Sequence, residues 1–275
     1  MAAGWYQNIP VVSRLFGWEA AAEGQETNGA AEGPSYPDYM LDPDAVAKDQ
    51  ARWRHGGPPD YRVTRQMYAN ERRATHKEGS LERMVENLIK NWEVEASHKL
   101  SVSEWRTVDP KEYRFSCNGG PFQDGEHMLK VGTYSAVLSA NKYYGPQFSE
   151  FEESHNTFRK MMPNFAFEVL EVYSGPPVVA CKWRHWGWMK GDYVGKNEDG
   201  DTVTIKAHGE TLDIQGITIA KVNEKLQITS LETFFDGKDM FEQMKPSKDT
   251  MKVVKMKCPM GFTADTSGFE DQKVG

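Results

Sequence analysis

Trp92, Glu95 and His98 recur every three residues in a stretch that reads as helix. At that spacing they climb one side of a helix, where a carboxylate and an imidazole can interact. Histidine titrates near neutrality and is the commonest acid–base side chain. The plain alternative is a core tryptophan and a partly exposed Glu–His pair where the helix ends. Trp183-Arg184-His185-Trp186-Gly187-Trp188 is the second candidate. Strand alternation sets Trp183, His185 and Gly187 on one face and Arg184, Trp186 and Trp188 on the other. His185 then keeps company with Val179, Cys181, Trp183 and Met189. It must find a hydrogen-bond partner or shift its pKa. One reading makes it a satisfied core histidine. The other makes it the polar group of a pocket whose aromatic rings grip a flat ligand. A platform for single-stranded nucleic acid, built from Lys182, Arg184 and the tryptophans, runs against a net charge of −7.

The third candidate is a set of carboxylates on strands: Glu168, Glu171, Asp213 and Glu232. Proton transfer at carbon needs one carboxylate with a raised pKa in an apolar pocket. Asp213 alternates with Leu212 and Ile214, so it is expected to be merely solvated if those two face the core. Metal binding finds no support. The seven histidines, at 55, 76, 98, 127, 155, 185 and 208, show no helical or hairpin ligand spacing. There is no GxxxxGK[ST] phosphate loop and no GxSxG nucleophile elbow. The expectation is therefore no metal and no organic cofactor.

These residues need elements to position them. A helix is expected over 80–99, where Leu81, Met84, Val85, Leu88, Trp92 and Ala96 recur at steps of three and four. Shorter helices are expected over 43–52, 61–73, 125–140 and 148–161. Strands are expected over 113–117, 165–173, 178–190, 202–206, 212–222 and 226–235. Turn residues such as Ser174-Gly175-Pro176-Pro177 and Asn223-Glu224-Lys225 separate them, which implies an antiparallel meander. Helices first and strands last is the α+β order.

The flanks read differently. Trp5, Tyr6, Ile9, Val11, Val12, Leu15, Phe16 and Trp18 form an apolar arm, and 19–37 is a linker rich in Ala, Gly, Glu and Ser. Membrane contact through the arm is the weaker reading, because Arg14 is its one cation. The division expected is an arm and linker at 1–40, a helical extension at 41–75, one domain at 76–240 and a loose tail at 241–275.

The chain has 275 residues, 33 basic against 40 acidic. This balance argues against a protein that holds nucleic acid by its phosphates. No apolar run reaches the 18 residues of a membrane helix, and the beginning of the chain does not read as a signal peptide. Cys117, Cys181 and Cys258 are far apart and odd in number, which fits a reducing, cytoplasmic setting.

Several segments resemble a known family. They are Gly79-Ser80-Leu81-Glu82, the run from Trp92 to Lys99, Phe165 through Pro177, and Lys182 through Gly191. Trp53-Arg54-His55-Gly56 and Pro58-Pro59-Asp60-Tyr61 join them. Together, over about 50–235, they closely resemble the plant pathogen-related protein family, in the SnoaL-like branch of the nuclear transport factor 2-like superfamily. The resemblance implies an α+β, cone-shaped barrel in which a curved antiparallel sheet wraps a long N-terminal helix around an apolar pocket. It implies cofactor-free binding of a small apolar or aromatic molecule, with isomerisation, cyclisation or dehydration as candidate reactions. The alternative is a non-catalytic interaction module with a filled cone. A homodimer through the outer sheet face is also expected, or burial of that face by the N-terminal arm. His98 and His185 are the candidate catalytic histidines, and Trp92, Glu95 and Trp183 the candidate lining.

Overall fold

The computed structural model describes residues 35–245 and 251–254. One compact unit spans Asp38–Gly275. The aromatic arm and the linker fall in a second unit, Met1–Pro37, and lie outside the described residues except for its last few.

The first elements are α1 (Asp38–Leu41), a 3-10 turn (Val46–Lys48) and α2 (Arg62–Glu71). The helix expected over 43–52 is only that turn. Its own backbone bonds reach only three residues back, from Lys48 N–H to Ala45 O and from Asp49 N–H to Val46 O, and another element holds its start. Val46 N–H donates to Asn91 Oδ1 at 2.9 Å, and the Asn91 amide donates to the carbonyls of Tyr39 and Asp42. Helix α3 (Leu81–His98) forms as its periodicity predicts. Ser80 caps it by accepting from Arg83 N–H, and Glu82 sits in its first turn. It stops because Lys99 is extended and bridges Trp53.

Strands β1 (Arg114–Cys117) and β2 (Gln123–Asp124) come next, then α4 (Gly125–Val131), α5 (Thr133–Val137) and α6 (Phe151–Met161). The single helix expected over 125–140 is broken at Gly132, whose φ is +90°. A side chain there would be strained, and its Cβ would stand 3.3 Å from Phe151 Cα.

Six strands follow: β3 (Phe165–Ser174), β4 (Val178–Trp188), β5 (Tyr193–Lys196), β6 (Thr202–Ile205), β7 (Thr211–Val222) and β8 (Ile228–Phe235). Then come α7 (Gly237–Gln243) and β9 (Met251–Val254). The tail after 240 is therefore not structureless, since β9 pairs antiparallel with β6. The main sheet runs β2-β1-β8-β7-β4-β3, and β5-β6-β9 form a small second sheet. The meander is thus interrupted. β4 pairs with β7, and β5 and β6 leave the main sheet between them. β1 lies parallel to β8, with Phe115 opposite Leu231. The curved sheet ends in two edges, β2 and β3, so it is an open α+β cone and not a closed barrel. Register shifts at Val169/Glu171 and Val172/Ser174 bend β3 against β4.

The two faces of β4 separate as alternation predicts. Trp183, Met189 and Cys181 join the main core with Val169, Leu212 and Ile214. Trp186 packs on the other face against Tyr68 of α2. That face is covered by the chain around α2. Glu71 accepts from the indole N–H of Trp186 at 2.9 Å and of Trp188 at 3.1 Å. Glu168 Oε2 accepts from the backbone N–H groups of Arg73 and Ala74 at 2.8 and 3.0 Å. Asp213 does face outward, but it is not merely solvated. It pairs with Arg184 at 2.9 Å and Arg73 at 2.5 Å. Both ion pairs fall on Asp213 Oδ2, and its Oδ1 is buried with no hydrogen-bond partner. Among the described residues, no helix is long and apolar enough to cross a membrane.

Candidate functional site

Between α3 and the inner face of the sheet lies a cavity of about 200 Å³. Helix α3 lends it Ile89, Trp92, Glu93 and Ser97. β3 and β4 lend Phe165, Phe167, Trp183 and His185, and α5 and α6 lend Tyr134 and His155. The cone is therefore not filled by its own side chains.

Both tryptophans have their polar edges occupied. Trp92 Nε1–H donates to Tyr113 Oη at 3.1 Å, and Trp183 Nε1–H to Thr218 Oγ1 at 2.9 Å. Their apolar surface is left for the cavity. His185 stacks on Phe165 with 3.5 Å between ring centres. Its Nε2 has no hydrogen-bond partner. Burial pushes its pKa down to about 4, partly opposed by a backbone hydrogen bond at Phe165. The ring is therefore neutral at pH 7.

Glu95 and His98 do not line the cavity. Each three-residue step falls about 60° short of a full helical turn, so the row from Trp92 drifts away from the face that carries Ile89, Trp92, Glu93 and Ser97. Glu95 is fully buried in a structural knot. It accepts from Lys99 Nζ at 2.8 Å, Arg106 N–H at 2.7 Å, and Thr107 N–H and Oγ1–H at 3.0 and 2.6 Å. A carboxylate with those four donors holds the chain after α3 in place. His98 lies behind the cavity wall, with Nε2 3.3 Å from Tyr61 Oη. Burial, helped by His155, Arg159, His55 and Arg54, pushes its pKa down to about 3.

Among the polar lining residues that escaped the sequence reading are Glu93 and His155. Glu93 presents a carboxyl group in an otherwise apolar stretch of wall. Burial raises its pKa, opposed by the Arg65 charge, a hydrogen bond from Tyr61 and the Lys90 charge. Tyr61 Oη lies 3.4 Å from Glu93 Oε1. His155 stacks on Phe151, and neither of its ring nitrogens has a partner. Burial, with the charges of Arg159, His55 and Arg54, pushes its pKa down to about 4. The signal for Glu93 was available: with Ile89, Trp92 and Ala96 it occupies the i, i+3, i+4, i+7 stripe of α3. His155 carried none, because α6 reaches the cavity only through tertiary packing. Among the described residues, no three His, Cys, Asp or Glu side chains are grouped to hold a metal ion.

An open, curved α+β sheet over a cavity lined by aromatics and one carboxyl group defines a pocket protein. The chain is 33% identical over 192 residues to a pathogen-related protein of Hordeum vulgare, covering 67% of this chain and 78% of the barley protein. The chain belongs to the pathogen-related protein family. No family model matches it. Among solved structures it is similar to IdmH, a putative polyketide cyclase from Streptomyces antibioticus, with 13% identity, 57% of this chain and 96% of that one covered, and a TM-score of 0.37. A putative SnoaL-like polyketide cyclase from Jannaschia sp. CCS1 gives 16% identity, coverage of 49% and 72%, and a TM-score of 0.27. Scores of that size mark a partial overlap of elements and carry no function across.

Proposed function

We propose that the protein holds a small, largely apolar, planar molecule between α3 and β4, and that Glu93 exchanges a proton with it. The observation that supports this is the carboxyl group of Glu93, raised in pKa by burial, on the wall of an apolar cavity. A carboxylate that has lost its hydration is a stronger base, and a neighbouring apolar wall favours the spread-out charge of an enolate over a free ion. The reaction needs no co-reactant. Glu93 takes a proton from a carbon beside a carbonyl group, the electron pair moves onto that oxygen, and the proton returns at another carbon. Isomerisation is the simplest outcome, and cyclisation or dehydration can begin the same way.

The size of the cavity limits the ligand. An engineered apolar cavity of roughly 150 Å³ holds benzene, so about 200 Å³ suits one or two fused rings. The unpartnered nitrogens of His155 and His185 favour a ligand with hydroxyl or carbonyl groups near those rings. Satisfying an orphan of this kind is worth roughly 1–3 kcal/mol. An interaction module with a filled cone fits poorly with this open volume.

Titration with 1-naphthol, followed by tryptophan fluorescence, tests the reading. Saturable quenching is expected in the wild type and in Glu93→Gln. It should vanish in Ile89→Trp, which fills the cavity, with melting curves showing that this variant is folded. Equal binding by the wild type and Ile89→Trp would place the ligand elsewhere and end the proposal.

A further inference from the structure

We infer that Tyr61 and His98 form a proton relay from Glu93 in the cavity to His55 at the protein surface. The relay serves Glu93 in the role proposed above and so rests on that reading. Its residues come from three parts of the chain. Tyr61 immediately precedes α2, Glu93 and His98 lie on α3, and His55 is in the loop before α2.

The hydroxyl group of Tyr61 sits between two partners. It is 3.4 Å from Glu93 Oε1 and 3.3 Å from His98 Nε2. A phenol has one proton to donate, so only two arrangements satisfy all three groups. With Glu93 ionised, Tyr61 donates to the carboxylate and His98 Nε2–H donates to the Tyr61 oxygen. With Glu93 protonated, the carboxyl group donates to the Tyr61 oxygen and Tyr61 donates to a bare His98 Nε2. Passing from the first to the second moves one proton from His98 Nε2 to Tyr61 as the Tyr61 proton moves to Glu93. Nδ1 of His98 takes up a replacement proton, so the imidazole changes tautomer and ends uncharged. No phenolate has to form, and no group changes charge except Glu93.

The path leads outward from His98. Its ring centre is 6.2 Å from that of His55, edge to face, and His55 is exposed. That gap is within reach of one bridging water. His155 stands 5.7 Å from His98 on another side. The titratable and charged groups facing the relay are Arg65 and Lys90 near Glu93, Tyr134 of α5 near both Glu93 and Tyr61, and Arg54 and Arg159 near His98. These cations disfavour a lasting imidazolium at His98, which suits a group that hands protons on and does not store them. Glu93 can thus be recharged from behind the cavity wall while a ligand fills the cavity in front.

The test needs no ligand. Histidine nitrogen NMR on uniformly 15N-labelled wild-type protein reads the tautomer of His98. Infrared spectroscopy reads the Glu93 carboxyl band, assigned with Glu93→Gln. The expected result is that His98 carries its proton on Nε2 where Glu93 is ionised, and on Nδ1 where Glu93 is protonated. Both changes should share one midpoint. In Tyr61→Phe the Glu93 midpoint should rise, with about a tenfold weaker acid dissociation, and the His98 tautomer should no longer follow it. A His98 tautomer that stays fixed while Glu93 titrates in the wild type would overturn the relay, whether or not the variants fold. Failure of 1-naphthol to bind, with the tautomer coupling intact, would instead remove the proposed function and leave the proton path standing.

Discussion

His98, His155 and His185 are held uncharged by burial, with pKa values lowered from 6.5 to about 3, 4 and 4. The unfolded chain protonates each near 6.5, and the folded chain does so only much lower. Between those limits the unfolded state binds more protons, so stability falls as pH falls. It is fully present above about pH 6.5 and is lost progressively toward pH 4. Each group contributes up to about 1.4 kcal/mol per pH unit in that window. Glu93 works in the opposite sense, because its raised pKa lets the folded state take a proton first. Urea unfolding at pH 7, 6 and 5 should show a falling midpoint, with a shallower fall in His185→Gln. A midpoint that stays flat from pH 7 to 5 in the wild type would show that these rings are charged in the fold. At this scale the sequence was only partly legible. Trp183 and His185 follow from strand alternation, which returns every second residue to the same face. Glu95 and His98 do not follow from the helix, because a row stepped by three rotates off the face that carries Trp92 and Glu93.

Element by element, β4 and β7 show how a strand makes room for the site. Trp183 stands opposite Gly216 across the two strands. A Cβ at Gly216 would lie 2.3 Å from Trp183 Cζ2, closer than real atoms come. The glycine is there to let the indole lie against the sheet, with its far face toward the cavity. Gly216→Ala should push Trp183 inward, lower stability by about 1–3 kcal/mol, and weaken 1-naphthol binding. Unchanged melting and binding in this variant would show that the sheet yields locally at no cost. The long strands and α3 were legible because each carries a sustained period. β5, β9 and α7 were not. Val194 and Gly195 in β5 have no alternation to reveal it, and β9 forms only because β6 offers an edge.

For the molecule as a whole, the helical extension before residue 76 and the sheet share one compact unit. The compact unit begins at Asp38, and what precedes α3 completes the outer face of the sheet. Glu168 is fully buried with Arg184 as its ionic partner, and it takes two backbone donors from Arg73 and Ala74. A chain beginning at residue 76 would lose both donors, the Glu71 acceptors of Trp186 and Trp188, and Tyr61. Removing one side of a buried polar network costs several kcal/mol. Such a chain is expected to be insoluble or to bind a dye for exposed apolar surface, whereas one beginning at residue 36 should melt like the full chain. Equal melting of the two shorter chains would show the extension to be dispensable.

The parallel pairing of β1 with β8 has a consequence for how the chain is made. Arg114 and Phe115 can pair with Asp124 and Gln123 of β2 early, but their partners in β8, Ser230 and Leu231, are synthesised only much later. The elements before β8 can form while the β1–β2 pair waits, with one side of the sheet unfinished and the cavity open beside it. Contacts this distant in sequence are slow to close. Joining β1 to the main sheet is therefore a late step of folding, and until it happens the surface that will line the pocket is open to solvent.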